Sequence, residues 1–180
     1  MTQQKTLLIS VLIAIGINPV VAETPQGPGL GQSVSPEAIA LWDISVFPDG
    51  EGLPKGEGTV ADGEVLYQQK CMVCHGENGL GATADQLAGA QMSLSSDYPE
   101  QTIGSYWPYA TTVFDVVRRS MPMTAPGSLT DNEVYAVTAY LLYLNQLIAR
   151  DAVMNASTLP KVKMPNVGGF IDVYDAEKRK

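Results

Sequence analysis

Ten residues, KCMVCHGENG at positions 70–79, hold both cysteines of this chain and its only histidine. Within them Cys71-Met-Val-Cys74-His75 is a C-x-x-C-H pattern. Two thiols three positions apart on a helical turn reach the two vinyl groups of a single porphyrin, and the residue that follows then lies beneath the iron. The pattern predicts one covalently bound haem c, with Cys71 and Cys74 forming the thioether links and His75 serving as the proximal ligand. Three other readings fit the same residues less well. A structural zinc site takes four Cys or His ligands, and the chain has three in total. A C-x-x-C redox dithiol expects a βαβ surround, whereas no β-alternation of useful length occurs here. A disulfide between Cys71 and Cys74 would close too short a loop to stabilise much.

A single histidine constrains the far side of the iron as well. With His75 used, the sixth position falls to a methionine, to a less usual ligand, or stays open. Met72 lies inside the attachment turn and cannot cross to the opposite face, and Met92 leaves little chain to pass round the ring. Met121, in Ser120-Met121-Pro122 between two expected helices, is the favoured ligand, with Met123 and Met164 in reserve. The other methionines read as core filler. A thioether opposite a histidine raises the potential and suits electron transfer. The pocket needs apolar walls, for which Val73, Leu80, Leu87, Val113, Val117, Val137 and Leu141 are candidates. Trp107 and Tyr109 carry polar tips on rigid bodies and could reach a propionate, although packing explains them about as well. Arg118 or Arg119 could neutralise a propionate, or could simply be a solvated helix end.

The remainder of the chain surrounds this motif. Lys5, the apolar run from Leu7 to Ile17 and the small residues of Val20-Val21-Ala22 read as a secretory signal peptide spanning 1–22. The run is roughly eleven residues, where a membrane span needs roughly 20. Export to the periplasm is expected, with no membrane span after cleavage. Residues 23–61 form a Gly/Pro-rich arm with one short helix capped by Ser35. Trp42, Ile44, Val46 and Phe47 suggest that the arm packs on something. Helices are expected from Asp62 into the motif, over Thr111–Ser120, and from Asp131 to Ile148 behind a Thr130-to-Glu133 capping box. A domain at 62–148 and a C-terminal extension at 149–180, ending in the polar DAEKRK, complete the expected organisation. The net charge of −8, one unit more acidic once Lys5 is removed, excludes a basic phosphate-facing surface for nucleic acid. It would suit a basic protein partner, or merely solubility.

Gly63, Tyr67 and Cys71 at spacings of four, then CHGENGLG, Met121-Pro122 and Tyr140 in VTAYL, resemble a class I cytochrome c domain over roughly residues 60–148. That resemblance implies an all-α fold, here with extended N- and C-terminal arms, in which the first helix crosses the last near Val137 and Tyr140. The segments GLGQSVSPEAIALWDISVFPDGEGLPKGEG, TIGSYWPYATTVFDVVRRSMP, GSLTDNEVYAVTAYLLYLN and LPKVKMPN resemble, more narrowly, the cytochrome subunits of periplasmic sulfite dehydrogenases and of sulfane dehydrogenase. What this implies is a one-haem subunit that takes electrons from a molybdenum-cofactor dehydrogenase and passes them to a downstream cytochrome c or oxidase. The sulfane dehydrogenase cytochrome usually carries two C-x-x-C-H motifs and this chain has one, so the shorter sulfite-dehydrogenase type fits better.

Many such domains orient the proximal ring with the carbonyl of a proline soon after the motif. None lies between His75 and Pro99, so a carbonyl in Ala84 to Gly89 is expected to take that place. No nucleophile, acid–base pair or phosphate cradle accompanies the motif, and the chain is expected to transform no substrate itself. Two alternatives stay open: a freely diffusing carrier for another dehydrogenase, and a haem enzyme or sensor with an open sixth position.

Overall fold

One close helix crossing organises the fold. In the computed structural model, which describes residues 27, 29–171 and 173–176, helix α2 (Val60–Lys70) lies directly on helix α6 (Asp131–Leu144). A Cβ placed on Gly63 would sit 1.9 Å from the Ala136 carbonyl oxygen, so only glycine lets the two backbones approach. The crossing falls at Ala136 and Tyr140, one residue from the expected Val137, and the Tyr67 and Tyr140 rings pack beside it with centroids 5.3 Å apart. The expected signal peptide, residues 1–22, and positions 177–180 of the polar end lie outside the described residues.

Cap chemistry sets the ends of these helices and corrects two expected boundaries. Helix α2 starts at Val60 rather than at Asp62, because the Thr59 hydroxyl accepts the Asp62 backbone N–H and donates to the Asp62 carboxylate. Helix α6 begins as expected, with Thr130 and Glu133 forming a reciprocal capping box. It stops at Leu144 instead of Ile148. Gln146 turns into the left-handed region at φ 59° and the Asn145 side chain donates to the Leu141 carbonyl in competition with the helix ladder.

Helix α5 (Ala110–Ser120) packs against α6 and buries Val113, Phe114 and Val117. The Phe114 and Tyr135 rings meet there at 4.5 Å, and burying one such ring stabilises by about 1.5–3 kcal/mol. Before this body lie α1 (Pro36–Ala40), capped by Ser35 as the sequence predicts, and β1 (Glu57–Thr59), which pairs antiparallel with β2 (Val153–Asn155) in the register Glu57↔Asn155. Between α2 and α5 come α3 (Met72–His75), a 3₁₀ turn at Glu77–Gly79, and α4 (Ile103–Tyr106), capped by Thr102 and Ser105. A second 3₁₀ turn at Leu159–Lys161 and α7 (Val173–Ala176) follow β2. Among the described residues the fold is therefore all-α apart from one two-stranded ribbon of three-residue strands. Among the described residues no helix is long and apolar enough to cross a membrane.

Candidate haem site

The end of α2 hands the chain to the motif in one continuous hydrogen-bonded path. The Cys71 N–H donates to the Tyr67 carbonyl, and the N–H groups of Cys74 and His75 both donate to the Cys71 carbonyl, so α3 is a single helical turn carrying all three chemical groups. Gly76 then reverses the chain at φ 75°, where a Cβ would lie 2.3 Å from the Gly81 carbonyl oxygen. The loop that returns is tied to the motif: Gly81 donates to the His75 carbonyl and Ala84 to the Cys74 carbonyl, each at 2.8 Å. From the opposite side the Tyr67 hydroxyl donates to the Gly76 carbonyl at 2.9 Å.

These ties leave the three functional atoms presented and not consumed. His75 Nδ1 lies 3.0 Å from the Asp85 carbonyl oxygen, inside the stretch where such an acceptor is expected. An N–H at Nδ1 donating there makes Nε2 the nitrogen with a free lone pair, the tautomer a metal ligand requires. The two cysteines form no disulfide with each other, Cys71 half-buried and Cys74 exposed, so both sulfurs are open to thioether links. The donor set and its spacing fit a covalently held haem.

The other candidates divide by burial. Met121 follows α5 directly, half-buried against the core. Met123 is 76% exposed, and Met164 is 3% exposed within the core cluster. Val113, Val117, Val137 and Leu141 are core residues, Leu87 is half-buried, and Val73 and Leu80 are exposed. Trp107 is half-buried against the core and Tyr109 is at the surface. Both arginines already face carboxylates: Arg118 pairs with Asp131 at 3.3 Å and Arg119 with Asp115 at 2.8 Å. Each cation at the end of α5 thus has a carboxylate partner within the chain.

Comparison with known proteins agrees with this geometry. The family model for cytochrome c matches residues 60–145. In a solved structure of the sulfane dehydrogenase SoxCD from Paracoccus pantotrophus, one chain is 43% identical and superposes with a TM-score of 0.76, covering 84% of this chain and 75% of that one. The chain belongs to the cytochrome c family. As a member it is an electron carrier with covalently bound haem c.

The cytochrome is also similar to thiosulfate dehydrogenases. It is 30% identical to that of Stutzerimonas stutzeri over 58% of this chain and 36% of the relative. The figures are 28%, 56% and 32% for Psychrobacter arcticus, and 29%, 65% and 39% for Allochromatium vinosum. The cytochrome thus spans about a third of the length of these curated relatives. The SoxCD likeness reaches further than residues 60–180 together extend, so it takes in part of the N-terminal arm.

Two residues that hold the site escape the sequence reading. Asn145 donates to the Leu87 carbonyl at 3.0 Å and accepts from the Gly104 N–H at 3.0 Å, tying the loop after the motif to α4 and α6. An Asn following a periodic helix is a known stop signal, and that is the clue available. The role of Tyr67 beyond helix packing, its grip on Gly76, has no signature in spacing.

Proposed function

We propose that this cytochrome is the electron-accepting subunit of a periplasmic dehydrogenase of inorganic sulfur compounds whose catalytic subunit carries a molybdenum cofactor. The observation that carries this reading is the 43% identity to a chain of sulfane dehydrogenase SoxCD across three-quarters of that chain. When bound, the haem supplies one-electron chemistry between Fe(III) and Fe(II).

The residues of the chain have separate tasks in that role. Cys71 and Cys74 keep the cofactor in place in both oxidation states, fixed on one helical turn. The Asp85 carbonyl orients His75 and, by accepting a hydrogen bond from Nδ1–H, would leave Nε2 to hold the metal. Tyr67, Gly81 and Ala84 hold the backbone of that turn so that the imidazole needs little reorganisation. Met121 at the end of α5 would be the methionine that holds the iron, with Met123 and Met164 in reserve. Trp107 is the better-placed propionate contact, since the Arg118 guanidinium is engaged by Asp131. A downstream cytochrome c or oxidase receives the electron.

The test is stopped-flow reduction of the ferric holoprotein by the molybdenum dehydrogenase of the source organism with sulfite or thiosulfate present. Rapid reduction that requires both dehydrogenase and substrate supports the proposal. The similarity to thiosulfate dehydrogenases favours a second reading, in which the cytochrome itself oxidises thiosulfate. Reduction by thiosulfate with no second protein would establish that reading in place of the first.

A further inference from the structure

Six large apolar side chains stand out along the first part of the described chain: Leu30, Val34, Ile39, Leu41, Trp42 and Phe47, between 53% and 87% exposed. Trp42 is 85% exposed, so whatever this part of the arm packs on is not its own domain, although Val46 does pack against the core. Helix α1 sits in the middle of the stretch, properly capped by Ser35, and buries no residue at all. A five-residue helix does not hold itself together in water, where even well-designed peptides need roughly 12–15 residues. A surface to lie on would stabilise it, and α1 has no fully buried residue against its own body.

The root of the arm is fastened. The Val46 N–H donates to the Asp115 carboxylate at 3.2 Å, Thr111 Oγ1 reaches the Pro48 carbonyl, and a Cβ on Gly52 would strike the Ser45 carbonyl oxygen. The apolar stretch ahead of Val46 is consequently held out from a fixed point on α5. Between residues 30 and 54 the chain has four carboxylates, Glu37, Asp43, Asp49 and Glu51, and no Lys or Arg. Single exposed apolar residues need no explanation, but six on one arm mark an interaction surface.

We infer that residues 30–47 are a docking arm that lies in an apolar groove rimmed by Lys and Arg on the electron-donating dehydrogenase. Trp42 is its central anchor, and Glu37 and Asp43 meet the basic rim. The inference rests on the function proposed above. The arm gives lasting attachment through a surface separate from the C-x-x-C-H turn, so that the redox face need not carry the binding energy. The likeness to SoxCD, which takes in part of this arm, is consistent with a segment whose shape is set by assembly.

The test uses the full-length holoprotein and the molybdenum dehydrogenase purified from the same organism, with affinity measured by calorimetry. Trp42→Ala is expected to weaken binding by about thirtyfold or more, as removal of a buried aromatic anchor does. Glu37→Lys with Asp43→Lys should slow association and reduce its dependence on salt. A photo-crosslinking amino acid at position 42 should attach to the dehydrogenase. The haem spectrum and midpoint potential of each variant should match the parent, showing that the domain is intact; Leu41→Ser with Phe47→Ser is a second probe should Trp42→Ala aggregate. Unchanged affinity in the arm variants overturns the arm and leaves the proposed function standing. Loss of self-association, with dehydrogenase affinity unaltered, overturns it in favour of a second copy of the chain. If the parent protein neither binds the dehydrogenase nor is reduced by it, the functional reading fails and the arm with it.

Discussion

Met121, Met123 and Met164 differ in what their removal does, and that separates ligand from filler. Met164 is buried in the core, so Met164→Ala removes packing and is expected to cost about 2–5 kcal/mol of stability with the haem spectrum unchanged. Met121→Ala is expected to do the reverse: high-spin iron, a lower midpoint potential, and a smaller loss of stability because the side chain is only half-buried. Met123, at the surface, should be silent in both respects. Absorption spectra and denaturation of the three variants check this, and a spectral change confined to Met164→Ala would reassign the ligand. The sequence makes Met121 a candidate through its place before Pro122, but burial, which tells the three apart, is a property of the folded chain.

The contact between α2 and α6 leaves no room for a side chain at Gly63. Gly63→Ala puts a methyl group 1.9 Å from the Ala136 carbonyl, and neither helix backbone can give way without losing the Tyr67–Tyr140 packing beside it. A loss of about 3 kcal/mol or more is expected in urea unfolding. At the start of α6, Thr130→Ala should cost about 1 kcal/mol. Hydrogen bonds from Thr130 hold the Glu133 carboxyl below its ordinary value, so its contribution is present above pH 4.5 and is lost as the pH falls through the lower folded value. Glu133→Gln should remove that part of the acid dependence.

These same helices show what could be read in advance. The haem motif, the α6 capping box and the cap of α1 depend on neighbours within four positions, and sequence exposes them. Helix α4 and the ribbon of β1 and β2 are too short for any periodicity, and the Glu57↔Asn155 pairing joins distant residues. The start of α2 was displaced because Thr59 and Asp62 can each cap, and only the folded geometry lets the threonine win. The Arg119–Asp115 pair lies four positions apart on an expected helix and is legible in sequence, whereas Arg118 finds Asp131 only in the fold.

The three buried tyrosines tie the stability of the entire domain to alkaline pH. Desolvation pushes Tyr67 and Tyr135 up to about 12 and raises Tyr140 as well, from an ordinary value of 10.0. The Tyr67 and Tyr135 hydroxyls also donate to the carbonyls of Gly76 and Pro54, bonds that a phenolate cannot make. Above pH 10 the unfolded chain releases these protons while the folded chain keeps them. Deprotonation therefore favours unfolding, and the stabilisation present below pH 10 is lost as the pH rises toward 12. Each tyrosine contributes at most about 1.4 kcal/mol per pH unit to that slope. Urea midpoints measured from pH 8 to 11.5 should be flat at first and then fall. Tyr135→Phe keeps the ring packed on Phe114, and should lower overall stability through the lost bond to Pro54 while making the alkaline decline shallower by about one proton. A decline equally steep in that variant would show that the alkaline limit is set elsewhere than in the aromatic core joining α2, α5 and α6.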